Sequence, residues 1–377
     1  MKRQLQNVNF ENRIKEKNYD SIIVSGKKLF NFSSNDYLSL SKNKKLISES
    51  KKWIDLFGVG LSSSRLISGN LEKISEIECL LSKFLGREKS LIFSGGFLMN
   101  STLIPALTNN NVGQRNDVQI FSDKLNHASI NYGCYLTRQK IARYNHLDLN
   151  HLEFLLKKSE KKKPKFIITE TIFSMDGDTI DIENLRFIAK KFNAFLYLDE
   201  AHSLGIYGKK GAGISSSGKY EKEIIVGTFG KSFGCFGSFV SASRKVTEKI
   251  VNSCSGLIYT TALPPAVYAS IFAALKLMPS LNSERKKILE NSKFLRTNLS
   301  DLSIDLGYSD SHIIPLILKS EKMCLKLKKY LETNGYFVKA ITSPTVMKGK
   351  ERIRLSVTAT MKRKKLGQFL EILKNLI

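Results

Sequence analysis

The feature that most constrains the fold is an alternation of short β-rich runs with longer amphipathic stretches through the middle of the chain. The β-rich runs lie at 90–93, 118–122, 165–170, 195–200, 223–229 and 237–242, and helical candidates between them include 72–85, 149–161 and 183–193. Because the runs lack strict polar alternation, they predict an α/β fold with a mostly parallel sheet covered by helices. In such sheets chemistry gathers at the carboxyl ends of the strands, where Glu170, Asp199, Glu200 and Thr228 stand.

A smaller α+β unit is predicted from about residue 281. Helical stretches at 283–299, 320–334 and from 361 alternate there with β-rich runs at 312–318, 336–340 and 352–357. The first 45 residues look too short to fold alone and are expected to pack as an arm on the small unit. The pattern therefore predicts an N-terminal arm (1–45), a large domain (46–280) and a small C-terminal domain (281–377).

The composition is that of an ordinary globular protein. The chain has 377 residues, of which 42% are apolar, enough to bury a large core. No apolar run is long enough for a signal peptide or a membrane span, so we expect a cytoplasmic protein without a membrane partner. The cysteines lie at 79, 134, 235, 254 and 324 without metal-ligand spacing, which favours reduced thiols and no metal site.

The formal net charge of +26 favours anionic partners. The lysines are scattered along the chain, however, and no aromatic-interleaved basic stripe or DNA-binding signature accompanies them. We therefore expect a solvated basic surface and no nucleic-acid partner, while an acidic carrier protein stays open as a partner.

The segment GTFGKSFGCFG contains Gly230-Lys231-Ser232, which looks like the end of a phosphate-binding loop. A Walker A loop needs glycine five residues before its Gly-Lys pair, and this position is Ile225. No strict GxGxxG is present either. The other interpretation treats Lys231 as a Schiff-base amine just after a strand, where small residues leave room for a planar cofactor.

A pyridoxal phosphate site would need further parts. Asp199 in YLDEAH stands at a strand end, where its carboxylate could pair with the pyridinium nitrogen, and His202 could reach the phenolic oxygen. His127 in SDKLNHASI could stack on the ring. Each residue alone has a commoner structural explanation, such as a helix cap or a hydrogen-bonded core histidine, so only the joint presence favours the cofactor.

The phosphate group would need small donors. Gly95-Gly96-Phe97 forms a glycine turn that enters a helix, whose first backbone amides could bind the phosphate. The hydroxyl of Thr228 could add a further donor. A glycine pair is more commonly just a turn.

Several segments, in order and over nearly the whole chain, resemble the α-oxoamine synthases, which are pyridoxal 5'-phosphate enzymes of fold type I: NFSSNDYLSL, SGGF, SDKLNHAS, TETIFSMDGD, YLDEAHSLGIYGKKGAG, GTFGKSFGCFG, YTTALPPA and RIRLSVTA. The resemblance implies an aspartate aminotransferase-like fold with a seven-stranded type of sheet. It also implies a homodimer and a decarboxylative condensation of an amino acid with an acyl thioester.

The resemblance implies roles for particular residues around the cofactor. Lys231 would carry the cofactor and act as the base, Asp199 would pair with the pyridine nitrogen, and His202 would lie near the phenolic oxygen. His127 would stack on the ring and help to place the substrate. The phosphate contacts would come from Gly96, Phe97 and Thr228, and Ser174 would lie beside the cofactor.

On the substrate side, the resemblance assigns Arg354 to the amino-acid carboxylate, which a planar guanidinium clamps well. Arg352 competes for this role, because strand alternation sends both side chains to the same face. Thr345, Arg13 in the arm, and Asn35 are further substrate-side candidates; Arg13 could equally be one more surface cation.

Within the family, NFSSNDYL and the compact length favour a member that condenses L-alanine with a pimeloyl thioester, carried by an acyl carrier protein or coenzyme A, in biotin biosynthesis. Members that use glycine or serine with other acyl thioesters are the alternatives, and a non-catalytic basic binding protein on the same fold is a remote one. Departures from the family pattern at Ser62–Ser64, Lys73 and TATM leave the acyl donor open.

Overall fold

A computed structural model describes residues 14–108 and 118–375, which form two compact units. The central unit comprises Asn43–Phe173 and Ile180–Asn282. The terminal unit comprises the described residues up to Lys42, the segment Ser174–Thr179 and the described residues from Ser283. The segment Ser174–Thr179 thus belongs to the terminal unit, although it lies inside the range that the sequence pattern assigned to the large domain.

The strands are β1 (Ile14–Lys17), β2 (Ser21–Val24), β3 (Lys27–Asn31), β4 (Lys89–Phe93), β5 (Gln119–Asp123), β6 (Ile141–Tyr144), β7 (Lys165–Glu170), β8 (Phe195–Asp199), β9 (Glu223–Thr228), β10 (Ser238–Ala242), β11 (Ile313–Ile317), β12 (Tyr336–Phe337), β13 (Lys339–Ile341) and β14 (Arg352–Ser356). The helices are α1 (Lys44–Phe57), α2 (Glu72–Leu85), α3 (Gly96–Thr108), α4 (Ala128–Leu136), α5 (Leu149–Lys157), α6 (Ile182–Lys191), α7 (Arg244–Ser253), α8 (Ser255–Ile258), α9 (Pro265–Leu277), α10 (Asn282–Asp301), α11 (Glu321–Thr333) and α12 (Arg363–Lys374). No helix in these ranges is both long enough and apolar enough to cross a bilayer.

The central unit is built on a seven-stranded sheet in the order β4-β10-β9-β8-β7-β5-β6. The strands from β9 to β6 run parallel, and β10 is antiparallel to both of its neighbours. This arrangement confirms the predicted α/β fold. The edge strand β6 has no counterpart among the predicted runs, because its sequence IARY is short, partly exposed and carries an arginine.

The strand register aligns the residues at the carboxyl edge of this sheet. Glu170 pairs with Asp199, and Asp199 pairs with Val226. Ser238 on β10 pairs with Thr228 on one side and with Phe93 on the other. The ends of β4, β7, β8 and β9 therefore lie at the same level, with neighbouring strands about 4.8 Å apart.

Helix α3 follows β4 and differs from the amphipathic helices around it. Its sequence GFLMNSTLIPALT is apolar on nearly every face, and most of its residues from Met99 onward are buried. Helix α4 packs closely against it at Gly133, where an added Cβ would collide with the carbonyl oxygen of Asn100. This glycine lets the two backbones approach, and the contact fixes α3 beside the carboxyl edge of the sheet.

The terminal unit contains the N-terminal strands as well as the C-terminal α+β region. Strand β3 pairs antiparallel with β2 and parallel with β12, and β14 lies between β11 and β13. The buried core of this unit includes Phe30, Phe32, Leu355 and Phe369. The backbone N–H of Ser356 donates to the carbonyl of Phe32 at 2.7 Å, which links the segment after β3 to β14.

The loop that follows β8 is held by the carboxylate of Glu200, which is fully buried. This carboxylate accepts hydrogen bonds from the backbone N–H groups of Ile214 (3.0 Å) and Ser215 (2.6 Å) and from the hydroxyl of Thr171 (3.0 Å). Gly213 has a φ of +92°, and a Cβ there would lie 2.6 Å from Oε2 of Glu200. The second acid of the DEAH segment is therefore a structural anchor.

We expect Glu200→Ala to lower the free energy of unfolding by about 3 kcal/mol, because two buried N–H groups and a hydroxyl would lose their acceptor. Denaturant unfolding followed by circular dichroism measures this loss. The matched control is Glu221→Ala, since Glu221 is an exposed glutamate of the same unit. Equal unfolding midpoints for the two variants would contradict the role of Glu200.

Candidate active site

Lys231 lies in a tight loop three residues after the end of β9. The N–H of Gly234 donates to the carbonyl of Lys231 (2.8 Å), and the N–H of Cys235 donates to the carbonyl of Phe229 (2.9 Å). The amine Nζ of Lys231 lies 2.7 Å from Nε2 of the buried His202. The amine and the imidazole nitrogen are therefore within hydrogen-bond distance of each other. The structure thus brings together two of the predicted site residues.

Asp199 ends β8, and its side chain is buried. Oδ1 accepts from the backbone N–H of Ala201 (2.9 Å), and Oδ2 accepts from the side-chain amide of Asn100 (3.0 Å). Both of these donors are neutral. A buried carboxylate with only neutral donors is suited to a cationic ligand group.

Asn100 was not predicted as a site residue. It lies on α3, one helical turn after Gly96, and contacts Asp199 directly. The sequence contains a signal that could have identified it, because Asn100 is an amide within the otherwise apolar run GFLMNSTLIPAL. An amide on a buried apolar helix needs hydrogen-bond partners, and here they are site residues.

His127 caps the N-terminus of α4, and its ring contacts Ser129. Nδ1 lies 2.8 Å from Oγ of Ser129 and accepts from the Ser129 backbone N–H at 3.2 Å. Desolvation lowers the pKa of His127 below its ordinary value. The negative charge of Asp199 opposes this decrease, and the positive charge of Lys231 contributes to it. The charges of Asp199 and Lys231 therefore both act on His127.

The predicted phosphate contacts lie at the ends of β4 and β9. An added Cβ at Gly96 would meet no atom within 4 Å, so there is open space in front of the first turn of α3. Phe97 is 53% exposed. The hydroxyl of Thr228 donates to the carbonyl of Gly237 (3.0 Å), so its single proton would have to leave that bond to reach a phosphate. The phosphate roles of these residues stay predictions.

In the terminal unit, Arg354 on β14 is buried among neutral acceptors. Its Nε donates to the carbonyl of Ser174 (2.5 Å), and Nη1 donates to Oγ of Ser356 (2.8 Å) and to Oδ1 of Asn35 (3.3 Å). Nη2 donates to the hydroxyl of Tyr37 at 3.4 Å. Burial raises the pKa of Tyr37, and the Arg354 guanidinium opposes this rise. Three predicted residues, Arg354, Asn35 and Ser174, thus lie together.

The structure also distinguishes the two arginines of RIRLS. Nη1 of Arg352 forms an ion pair with Asp176 at 2.6 Å. Arg354 is buried, with 7% of its surface exposed, and among the described residues it has no carboxylate within ion-pair distance. A buried guanidinium without an anion can accept a ligand carboxylate, which favours Arg354 over Arg352 for that role.

Two other substrate-side candidates remain. Thr345 is exposed in a turn after β13, where its backbone N–H donates to the carbonyl of Thr342 (3.0 Å). Arg13 lies outside the described residues. Both roles stay predictions.

The residues of the central unit fit a pyridoxal phosphate molecule. The amine of Lys231 can condense with an aldehyde, and Asp199 offers a buried carboxylate to a protonated ring nitrogen. The first turn of α3 offers backbone N–H groups, which lack partners within the helix, across the open space at Gly96. An amine, a carboxylate and an anion-binding helix end are the groups that this cofactor requires.

Glu170 ends β7 and is a second buried acid at this edge. Burial raises its pKa to about 8, and the negative charge of Asp199 contributes to the rise. The N–H of His127, which donates to Oε1 at 2.6 Å, and the charge of Lys231 oppose the rise. Glu170 is therefore largely protonated at neutral pH.

A folded-state pKa above the unfolded value means that Glu170 stabilises the fold below about pH 4.5 and that this contribution is lost as the pH rises through 8. We expect Glu170→Gln, which mimics the protonated acid, to become more stable relative to the wild type between pH 5 and 8. Thermal unfolding of the cofactor-free proteins across this range measures the difference, with the exposed Glu221→Gln as the control. A pH-independent difference would contradict the raised pKa.

Comparisons with known proteins agree with this geometry. The aminotransferase class I and II family matches residues 27–373. The 8-amino-7-oxononanoate synthase of Gluconacetobacter diazotrophicus is 40% identical over 336 residues, which cover 89% of this chain and 84% of the relative.

Two solved structures show the same fold. The 8-amino-7-oxononanoate synthase of Francisella tularensis has a TM-score of 0.78 and 27% identity, covering 92% of this chain and 97% of its own. The serine palmitoyltransferase of S. paucimobilis with a bound PLP–myriocin adduct has a TM-score of 0.92 and 25% identity, covering 97% and 92%. These matches confirm the aspartate aminotransferase-like fold of type I. The chain therefore belongs to the class I and II aminotransferase family and, within it, to the group of 8-amino-7-oxononanoate synthases.

Proposed function

We propose that this chain catalyses the decarboxylative condensation of L-alanine with a pimeloyl thioester in the cytosol, giving 8-amino-7-oxononanoate, CO2 and a free thiol, as a step of biotin biosynthesis. The chain is a pyridoxal phosphate-dependent acyltransferase. The observation that carries the proposal is the cluster of Lys231, His202, Asp199 and His127 at one sheet edge, in a chain 40% identical to a synthase of that name.

Pyridoxal phosphate, when bound, acts as an electron sink for the amino acid. Lys231 would hold it covalently, and its amine, when free, would remove the proton from Cα of alanine. His202, 2.7 Å from Nζ, would orient this amine by a hydrogen bond. Asp199 would stabilise positive charge on the ring nitrogen, because its carboxylate is buried and therefore interacts strongly with a nearby cation. His127 would cover the ring.

Arg354 binds the carboxylate of alanine in this proposal. Its guanidinium is buried, and its described partners are neutral oxygens. Asn35 and Tyr37 hold the guanidinium in place from the side of the N-terminal segment. A charged, planar and already oriented donor fits a carboxylate with little loss of conformational entropy on binding.

The bond changes balance without a redox partner. Cα of alanine forms a bond with the thioester carbonyl carbon, and the C–S bond breaks to release the thiol. The resulting β-keto acid loses its carboxylate as CO2, and a proton returns to Cα. Lys231 is placed to remove the first proton and to return the second, since one amine can perform both transfers in turn.

We also propose that the enzyme works as a homodimer. The support is an exposed aromatic row on the central unit, where the rings of Phe97, Tyr132 and Tyr135 follow one another at centroid distances of 5.8 and 6.5 Å. Tyr135 is 76% exposed. Large exposed aromatic residues are typical of protein interfaces, and sedimentation equilibrium of the purified protein tests whether it dimerises.

Lys231→Ala should abolish turnover and the covalent attachment of the cofactor, because no other residue of the cluster is a primary amine. Mass spectrometry after borohydride reduction reads the attachment directly, and a modified peptide containing residue 231 is expected only in the wild type. A Lys231→Ala protein that retains turnover would contradict the assignment of Lys231 as the cofactor-bearing base. A purified protein that stays colourless with added pyridoxal phosphate would favour the non-catalytic alternative.

Arg354→Lys should raise KM for L-alanine roughly 10- to 100-fold, because a lysine cannot keep the hydrogen bonds that orient the planar guanidinium. Arg352→Lys is the matched control, since a lysine can keep the ion pair with Asp176, and its KM should stay near that of the wild type. Equal effects of the two substitutions would contradict the role of Arg354.

The acyl donor can be identified by crossing amino acids with acyl thioesters. We expect L-alanine and a pimeloyl thioester to be preferred, and a strict preference for glycine would overturn the proposal. A carrier-protein donor should lose rate between low and high salt more steeply than coenzyme A, because the chain has a net charge of +26 and long-range steering of an acidic protein is screened by salt.

A further inference from the structure

The side chain of Asn100 connects two parts of the candidate active site. Its Nδ2 donates one hydrogen bond to Oδ2 of Asp199 (3.0 Å) and another to Oγ of Ser129 (3.0 Å). Its Oδ1 accepts from the hydroxyl of Tyr197 at 2.5 Å. Asn100, Ser129 and Tyr197 are all nearly inaccessible to solvent, so water cannot replace these bonds at low cost.

The orientation of the Asn100 amide follows from its neighbours. An ionised carboxylate has only acceptors, so the NH2 group must face Asp199 and the amide oxygen must face the Tyr197 hydroxyl. A flipped amide would place two oxygens against each other at Asp199. Both protons of Nδ2 are thereby committed, one to Asp199 and one to Ser129.

The bond from Asn100 also determines what the Ser129 hydroxyl does. Because Oγ accepts from Asn100, its own proton is available to Nδ1 of His127, 2.8 Å away. The Ser129 backbone N–H donates to the same nitrogen. With two donors directed at Nδ1, the neutral ring carries its proton on Nε2, and protonation of Nδ1 would require both donors to be displaced.

We propose that Asn100 is a positioning residue that orients the Asp199 carboxylate and holds His127 in its neutral, Nε2-protonated form through Ser129. The two arms start from one amide, so the group that pairs with the ring nitrogen and the group that covers the ring are set together. The charged or titratable groups around His127 are Asp199, Lys231 and Glu170, the last of which accepts the His127 backbone N–H. This inference rests on the proposed pyridoxal phosphate site.

Asn100→Leu tests the arm toward Asp199. Leucine has a similar size and no polar atoms, so the carboxylate would lose the side-chain donor that orients it. Pyridoxal phosphate added to the cofactor-free variant should bind roughly 10- to 100-fold more weakly, the loss expected for one hydrogen bond to a charged group. Absorbance titration measures this affinity without any substrate.

Ser129→Ala tests the arm toward His127. It removes the hydroxyl donor from Nδ1 but leaves the bond from Asn100 to Asp199, so cofactor affinity should stay within about twofold of the wild type. The ring should then protonate more readily, because a donor to its neutral form is gone. The absorbance of the bound cofactor reports the affinity for L-alanine as a function of pH. The low-pH side of this profile, here called the acid limb, should move to higher pH in Ser129→Ala and in Asn100→Leu.

The control is Thr108→Val, which removes a buried hydroxyl from the same helix. Thr108 donates to the carbonyl of Ile104 within α3, so its loss should lower stability and leave both the cofactor affinity and the acid limb unchanged. Three outcomes would overturn the inference: Asn100→Leu binding the cofactor within twofold of the wild type, Thr108→Val weakening it equally, or an unmoved acid limb in Ser129→Ala.

The acid limb of Ser129→Ala tests the inference even if Asn100→Leu fails to fold. Ser129→Ala removes only the hydroxyl that contacts Nδ1 of His127 and leaves the side chain of Asn100 in place. A wild-type protein that binds no pyridoxal phosphate would contradict the proposed function and this inference with it. A wild type that binds the cofactor while the variants match it would contradict only the role of Asn100.

Discussion

The buried carboxylate of Asp199 is the constraint on which the central unit depends. A charge that is removed from water without a counter-ion is costly unless hydrogen bonds compensate it. Here the compensation comes from the N–H of Ala201 and the amide of Asn100, both neutral. The donor from Asn100 requires α3 to lie beside the end of β8, and the close packing of α4 at Gly133 holds α3 there. A cationic ligand group would complete the compensation.

The terminal unit contains the opposite case. Arg354 is a buried cation among neutral oxygens from Ser174, Asn35, Tyr37 and Ser356. These oxygens satisfy the guanidinium protons without neutralising its charge, so the group stays suited to an anion. Asp199 and Arg354 are thus buried charged groups whose described hydrogen-bond partners are neutral. Under the proposed function, a protonated ring nitrogen would pair with Asp199 and an amino-acid carboxylate with Arg354.

Much of the fold could be predicted because periodicity and strand chemistry are local properties. The predicted helix at 72–85 matches α2, and the predicted run at 165–170 matches β7. Other features could not be predicted, because they depend on residues that are distant in the sequence. Strand β6 carries the mixed sequence IARY at a sheet edge, where β-propensity depends mainly on the neighbouring strand. Nothing in the sequence around Ser174–Thr179 indicates that this segment belongs to the terminal unit, because unit membership depends on non-local contacts.

The sequence by itself determined which chemistry was available. Ile225 excludes a Walker A loop, and the combination of Lys231 with DEAH, NHAS and RIRLS indicates a cofactor-bearing lysine with an acid, an imidazole and a carboxylate-binding arginine. Only the tertiary structure decided which side chains meet. Asn100 reaches Asp199 across 99 residues of chain, and among the described residues Arg352 but not Arg354 is paired with a carboxylate. The reason is physical: residue type sets what a group can donate, accept or attack, whereas strand register and helix packing set what lies within hydrogen-bond distance of it.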